Sequence, residues 1–99
     1  EIKTNLTIPA GEQFILGGGQ EGAFTAVLRN DGRVDVTVME IQASGEITRT
    51  LTLRTGQTAT ATFAAGATAR VANESDRDAK VWAEVTGDTN LGMRYTPVE

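Results

Sequence analysis

The chemistry open to this chain is limited first by the residue types that it lacks. Its 99 residues include neither cysteine nor histidine. This absence removes disulfides, thiolate nucleophiles, imidazole bases and the zinc, haem and iron–sulfur sites that need these side chains. Carboxylates, lysines and Tyr95 remain for acid–base work, but their spacing forms no recognisable nucleophile–base pair. We therefore expect a protein that is not an enzyme and that uses no cofactor.

An acidic segment in the last third of the chain is the place where the sequence offers metal ligands. Asn73, Asp76 and Asp78 present the hard oxygen atoms that calcium prefers, although the spacing and the glutamate of an EF-hand are missing. The same residues suit a solvated polar turn between two strands. We favour the turn and retain a calcium site on these three residues as the alternative.

The single tryptophan, Trp82, is the best candidate for recognising a ligand. The alternation of the strand predicted over residues 79–86 places Trp82 outward beside Lys80 and Glu84. An outward tryptophan can stack on a sugar ring while Lys80, Glu84 and Arg70 bind its hydroxyl groups, which predicts a carbohydrate-binding module. The other interpretation, which we favour, is that Trp82 packs under a loop or against another subunit.

The elements that position these residues are predicted to be strands. Threonine occurs 15 times and glycine 11 times, and no segment keeps apolar residues at helical spacing over three turns. The expected fold is all-β: a single-domain antiparallel β-sandwich over residues 1–99, with eight or nine strands in a jelly-roll-like or Greek-key arrangement. The predicted strands or hairpins cover residues 3–8, 12–16, 23–41, 46–53, 57–63, 67–73, 79–86 and 91–96.

Three short loops that end in glycine are predicted to close β-hairpins. They end at Gly11, Gly32 and Gly56, and we expect a positive φ at each of these glycines. The hairpin over residues 23–41 is the most strongly patterned of the three. Its three-residue loop would place three apolar pairs on one face: Leu28 with Val34, Ala26 with Val36, and Phe24 with Val38.

The end of this hairpin breaks its alternation. Met39 and Ile41 lie in the opposite phase to the inward valines, which predicts a β-bulge near Val38 or Met39. Together with Trp82, these two apolar residues are our candidates for an interface with a second copy or with another protein.

A regular array of threonines follows from the third predicted hairpin. Its register would set Thr52 opposite Thr58, Thr50 opposite Thr60, and Thr48 opposite Thr62. The spacing looks like the ice-contacting faces of some antifreeze proteins, which makes ice binding a remote alternative function. Threonine is also a common residue on the solvent-facing side of strands, and we favour that interpretation.

The two halves of the sequence resemble each other. NLTIPAGEQ, which begins at Asn5, aligns with TLTLRTGQT, which begins at Thr50, and TAVLRN aligns with TARVAN. We predict an internal repeat over residues 5–41 and 50–85, with a pseudo-twofold relation between two packed sheets.

Charge and hydropathy narrow the choice of partners. The net charge is −4 and the basic residues are scattered, which argues against nucleic acid and anionic membranes as partners. No segment approaches the roughly 18 apolar residues of a membrane span. We expect a binding or assembly module on a particle surface or outside the cytoplasm, with a protein partner, self-association or a glycan as its ligand.

Overall fold

The computed structural model describes residues 1–98, so Glu99, the last residue of the predicted domain, lies outside the described residues. Regular structure in this part of the chain consists of nine strands and no helix. The strands are β1 (Ile2–Ile8), β2 (Glu12–Gly17), β3 (Phe24–Asn30), β4 (Val36–Ile41), β5 (Ile47–Leu53), β6 (Thr58–Phe63), β7 (Thr68–Ala72), β8 (Ala79–Gly87) and β9 (Met93–Pro97). They form a four-stranded sheet, β1-β8-β3-β6, and a five-stranded sheet, β5-β4-β7-β2-β9. The predicted all-β, single-domain sandwich is confirmed.

The pairing order is that of a long antiparallel ribbon folded back on itself. β1 pairs with β8, β2 with β7, β3 with β6, and β4 with β5, so the tip of the ribbon is the turn between β4 and β5. Folding the ribbon brings β3 beside β8 and β4 beside β7, which completes the two sheets. This arrangement is a jelly roll, and β9 is added to it along the other edge of β2.

The two halves of the ribbon exchange under a pseudo-twofold operation. When β1–β4 are replaced by β5–β8, the order β1-β8-β3-β6 becomes β5-β4-β7-β2. β9 has no counterpart among the described residues, so the five-stranded sheet is the larger of the two.

Two fully buried asparagines hold equivalent corners of the sandwich. Asn30 is the last residue of β3, and Asn73 follows β7. The side-chain Nδ2 of each asparagine donates to the backbone carbonyl four residues later in the chain and to a backbone carbonyl of another strand. The distances are 2.8 Å to Val34 and 2.9 Å to Leu53 for Asn30, and 2.7 Å to Arg77 and 2.9 Å to Ile8 for Asn73. Each asparagine therefore supplies the hydrogen bonds that the chain lacks where it crosses between the sheets.

The core lies between the sheets and consists of the inward residues of both. Phe24 and Phe63 are neighbours on β3 and β6, and their rings stack with centroids 4.9 Å apart. The remaining space in the core is filled by small residues, Ala26, Ala69 and Ala83, which lie opposite larger aliphatic residues.

The three predicted hairpins are wrong. β3 and β4 lie in different sheets, so Leu28 is paired with Ala59 and Ala83 instead of Val34. The other two loops likewise connect β1 to β2 and β5 to β6 across the sandwich. The inward faces of β3 and β4 were predicted correctly, because alternation shows which face of a strand is buried, whereas Ile47 of β5, predicted to face Phe63, is exposed. It does not show which strand lies beside it, and a short loop that ends in glycine suits a crossing between sheets as well as a hairpin.

The predicted glycine conformations hold at two of the three loops. Gly11 and Gly56 have φ of 73° and 82°, whereas Gly32 is outside the positive-φ region. Gly32 is constrained by space instead, because a Cβ atom built on it would lie 2.8 Å from the backbone nitrogen of Lys80. The predicted bulge is also displaced, since the register of β4 with β5 shifts between Glu40 and Ile41.

The predicted threonine array does not form. β5, with Thr48, Thr50 and Thr52, is an edge of the five-stranded sheet, while β6 is an edge of the four-stranded sheet. The two sets of three threonines therefore belong to different sheets: Thr48, Thr50 and Thr52 in one, and Thr58, Thr60 and Thr62 in the other. The sheets separate because the loop between β5 and β6 crosses the sandwich, which leaves no flat lattice for ice.

Candidate functional site

Trp82 lies at the centre of the outward face of the four-stranded sheet. Its cross-strand neighbours are Asn5 on β1 and Arg29 on β3. The Arg29 guanidinium lies over the Trp82 ring, 4.8 Å from its centroid, which is the geometry of a cation–π contact. Trp82 is half-buried. A side chain of its own chain therefore lies over the aromatic surface that the sequence offered to a sugar.

The charged groups around Trp82 are paired with one another. Arg29 donates from Nε and Nη2 to the carboxylate of Asp31, at 2.6 and 3.0 Å. These hydrogen bonds lower the pKa of Asp31 below its ordinary value and raise the pKa of Arg29. On the other side of Trp82, Lys3 lies 3.7 Å from the carboxylate of Glu84.

Lys80 also has a partner on this face, since its ammonium donates to the Thr7 hydroxyl at 2.9 Å. Lys80 and Glu84 thus lie beside Trp82 as predicted, and each already has a contact within the chain. Arg70 does not join them. It lies on β7 of the other sheet, so the predicted set of four sugar-binding residues is not brought together.

The predicted interface of Met39, Ile41 and Trp82 is also divided between the sheets. Met39 and Ile41 lie on β4 of the five-stranded sheet, and Trp82 lies on β8 of the four-stranded sheet. The outward faces of two packed sheets point in opposite directions, so these residues do not form one patch. Both Met39 and Ile41 are half-buried.

Asn73, one of the three predicted calcium ligands, has a structural role. The Asn73 side-chain oxygen accepts hydrogen bonds from the backbone N–H and the hydroxyl of Ser75, at 3.1 and 2.6 Å. Its amide holds the corner described above, so Asn73 is a structural residue of the turn. Asp76 and Asp78 are exposed, and among residues 1–98 no group of three or more acidic side chains is arranged to hold a metal ion.

The outward face of the five-stranded sheet carries a groove centred on Arg70. On β7, Arg70 lies between Met39 of β4 and Ile15 of β2, and Ala72 lies between Thr37 and Gln13 in the next row. We call this concavity the Arg70 groove. Its volume is about 310 Å³, and it is lined by Gln13, Thr37, Met39, Arg70, Ala72, Glu74 and Val98.

Arg70 differs from the arginine on the opposite face in lacking a hydrogen-bond partner at Nε. This atom is buried, and no described residue accepts a hydrogen bond from it. Arg70 is also absent from the ion pairs formed among residues 1–98. A buried donor without an acceptor destabilises a fold by about 1–3 kcal/mol. The Arg70 guanidinium, one of whose donors has no acceptor among residues 1–98, therefore lies beside the apolar side chains that line the groove.

The row of residues that runs beside the groove, Met39, Arg70 and Ile15, was missed in the sequence because it depends on strand neighbours. Ile15 faces outward, yet it is only 5 % exposed, because Arg70 and Arg94 lie beside it on the adjacent strands. One signal was present: Phe14, Ile15 and Leu16 are consecutive apolar residues, which is typical of a strand buried on both faces. That signal indicates a covered outer face but gives no location for Arg70.

Within the described residues, the chain forms no helix of the length and apolarity that crossing a bilayer requires. Comparison with known proteins finds no family model that matches the chain, no curated protein with a significantly similar sequence and no significantly similar solved structure.

Proposed function

We propose that this protein is a non-enzymatic assembly module that binds a protein partner through the Arg70 groove. The observation that carries the proposal is the buried Nε of Arg70, which has no acceptor within the described part of the chain. Buried polar groups in proteins are nearly always hydrogen-bonded, so a donor of this kind calls for an acceptor from beyond residues 1–98, which we propose is supplied by the partner.

The chemistry of the groove specifies the partner. Arginine presents a planar set of donors that matches a carboxylate with two parallel hydrogen bonds. Met39, Ala72 and Val98 supply apolar contact area beside it. We therefore propose a partner segment in which an acidic side chain follows or precedes an apolar one. Met39 lines the groove and is therefore retained as a proposed interface residue. Ile41 lies further along the same strand, at its end. A particle surface or an extracytoplasmic assembly remains our expectation for where this contact is made.

A small carboxylate with an apolar tail tests the groove without knowledge of the partner. We expect hexanoate to shift the Nε–H signal of Arg70 and the methyl signal of Met39 in NMR spectra, with saturation in the millimolar range, roughly −4 kcal/mol. Hexylammonium, which has the same tail and the opposite charge, is expected to cause no such shift.

Two variants make this titration specific. Arg70→Met should abolish hexanoate binding, because it removes the donors and keeps the apolar volume of the side chain. Arg94→Met is the matched control, since Arg94 lies in the same row of the sheet but is exposed on β9. Hexanoate binding that survives in Arg70→Met, or its absence in the native protein, would count against the groove.

A carbohydrate-binding function through Trp82 is the second candidate, and its support is the partly exposed ring beside Lys80 and Glu84. A sugar would have to displace Arg29 from this ring, against both the cation–π contact and the Arg29–Asp31 pair. We expect no change in Trp82 fluorescence across a panel of mono- and oligosaccharides. A saturable change that is lost when Lys80 or Glu84 is replaced by alanine would favour the sugar instead.

A further inference from the structure

The four sheet edges differ in their protection against pairing with another chain. β1, β5, β6 and β9 each pair with one strand only. β1 carries Lys3, β5 carries Arg49, and β9 is five residues long with Arg94 and Pro97. β6 has the sequence TATATF, without charge, proline or glycine, and its ladder with β3 has no register shift. Charged residues, prolines, bulges and short length are the features that keep natural edges from pairing, so β6 is the least protected edge.

The free edge of β6 is formed by the backbone groups of its threonines. The hydroxyl oxygens of Thr25 and Thr62 are 3.0 Å apart, a close approach typical of a non-hydrogen-bonded pair, in which the backbone groups point away from the neighbouring strand. Thr58 and Thr60 share this phase, because they precede Thr62 by four and two residues. At one end the edge is covered, since Arg49 donates from Nη2 to the Thr62 carbonyl at 2.9 Å.

The pseudo-twofold exchange shows that the fold accepts a strand at this position. β6 corresponds to β2, and β2 pairs with β9 on the side away from β7. The corresponding side of β6, away from β3, has no strand among residues 1–98. One half of the molecule thus has an added strand where the other half has an open edge.

We infer that β6 pairs with β6 of a second copy of this chain, antiparallel, about a two-fold axis beside Thr60. Thr60 then lies opposite Thr60 of the second copy. Thr58 lies opposite Thr62, whose carbonyl Arg49 releases when the two strands pair. Threonine pairs across antiparallel strands are stabilising, and no like charges meet because the strand carries none. An isologous contact of this kind closes as a dimer, in which two four-stranded sheets become one continuous sheet. The contact spans a single six-residue strand, so the dimer is weak.

Sedimentation velocity over roughly 10 µM to 1 mM protein tests this dimer, with substitutions on two different edges. Thr60→Lys brings two ammonium groups together across the axis and should raise the dimer dissociation constant about tenfold or more. Thr52→Lys is the matched control, because Thr52 is also an exposed threonine on an edge strand, β5. It should leave the dissociation constant unchanged, as should Arg70→Met, because the Arg70 groove lies on the other sheet.

Two further measurements keep the inference testable if Thr60→Lys fails to fold. Thr60→Pro removes an N–H that points outward and leaves the bonds to β3 in place, so it should give a folded monomer. In the native protein, hydrogen exchange at the Thr58 and Thr60 amides should slow as the protein concentration rises. A native chain that stays monomeric at about 1 mM, or a dimer that Thr60→Lys and Thr52→Lys weaken equally, would overturn the inference.

Discussion

The outward faces of the two sheets differ in whether their charged groups find partners in their own chain. On the four-stranded sheet, Arg29 contacts both Trp82 and Asp31. On the five-stranded sheet, Arg70 lies in a groove beside Met39, and its buried Nε has no acceptor among the described residues. Both arginines lie within a sheet of the same jelly roll. This difference is the basis of our proposal that a partner binds the outward face of the five-stranded sheet.

The two sheets that carry these faces are held together at equivalent corners by a buried asparagine side chain. Asn30 and Asn73 hold equivalent corners and are both fully buried. The two outward faces can therefore be compared directly, because both sheets are held at their corners by the same kind of contact.

Replacing the corner asparagines should have the largest effect on stability. Asn73→Ala removes five hydrogen bonds and leaves the Ile8 carbonyl without its side-chain donor and the Ser75 N–H without its side-chain acceptor. The Pro9 and Arg77 carbonyls keep one bond each, from the Glu12 N–H and the Ser75 hydroxyl. We expect urea denaturation to show a loss of about 3–5 kcal/mol in the free energy of unfolding. Asn30→Ala removes fewer bonds and should cost about 3 kcal/mol. A loss below about 1 kcal/mol for both variants would mean that other contacts hold the corners.

Trp82→Ala and Met39→Ala truncate an apolar residue on opposite faces, and we expect the first to lower mainly stability and the second mainly hexanoate binding. Trp82→Ala is expected to lower the free energy of unfolding by about 1–2 kcal/mol, because the half-buried ring covers its own sheet. Hexanoate binding should remain unchanged in this variant. Met39→Ala should cost about 1 kcal/mol or less in stability and should weaken hexanoate binding. The comparison fails if Trp82→Ala, on the opposite face, weakens hexanoate binding as much as Met39→Ala does.

The smallest expected effect is a pH dependence confined to the four-stranded sheet. The hydrogen bonds from Arg29 lower the folded-state pKa of Asp31. Their contribution to stability is therefore fully present above the unfolded-state pKa and is lost as the pH falls through the lowered, folded-state pKa. Over that range Arg29 is released from Asp31, so the fluorescence of Trp82 should change.

Asp31→Asn provides the control for this acid titration. The amide cannot ionise, so the change in Trp82 fluorescence over that pH range should disappear. A carboxyl signal of Asp31 that titrates at its ordinary pKa in NMR spectra would show that the pair with Arg29 does not persist in solution.

Much of the fold follows from the sequence because alternation is a local property. The inward sets on β3, β4 and β8 were predicted from their spacing, and the aligned segments TAVLRN and TARVAN end in the two asparagines that hold the corners. Strand neighbours are not local. The loop at Gly32 has the residue types of a hairpin turn, yet Lys80 packs against it from a strand almost 50 residues away.

The candidate site was predicted less well than the fold for the same reason. Trp82 was placed outward correctly, but its contact with Arg29 depends on the pairing of β3 with β8. Arg70 was assigned to the wrong face, because outward residues of two sheets have the same alternation in the sequence. A groove requires three adjacent strands, and only their register brings Met39, Arg70 and Ile15 into one row.

One pair of substitutions tests the difference between the faces most directly. Arg70→Met and Arg29→Met make the same change on opposite sheets, and the readout is the free energy of unfolding of the isolated chain in urea. Arg70→Met should raise it by about 1 kcal/mol, because a buried donor without an acceptor is replaced by an apolar side chain of similar length. Arg29→Met should lower it, because the contacts with Trp82 and Asp31 are lost. A loss of stability in Arg70→Met as large as that in Arg29→Met would contradict the account, because Arg70 would then have its partners within its own fold.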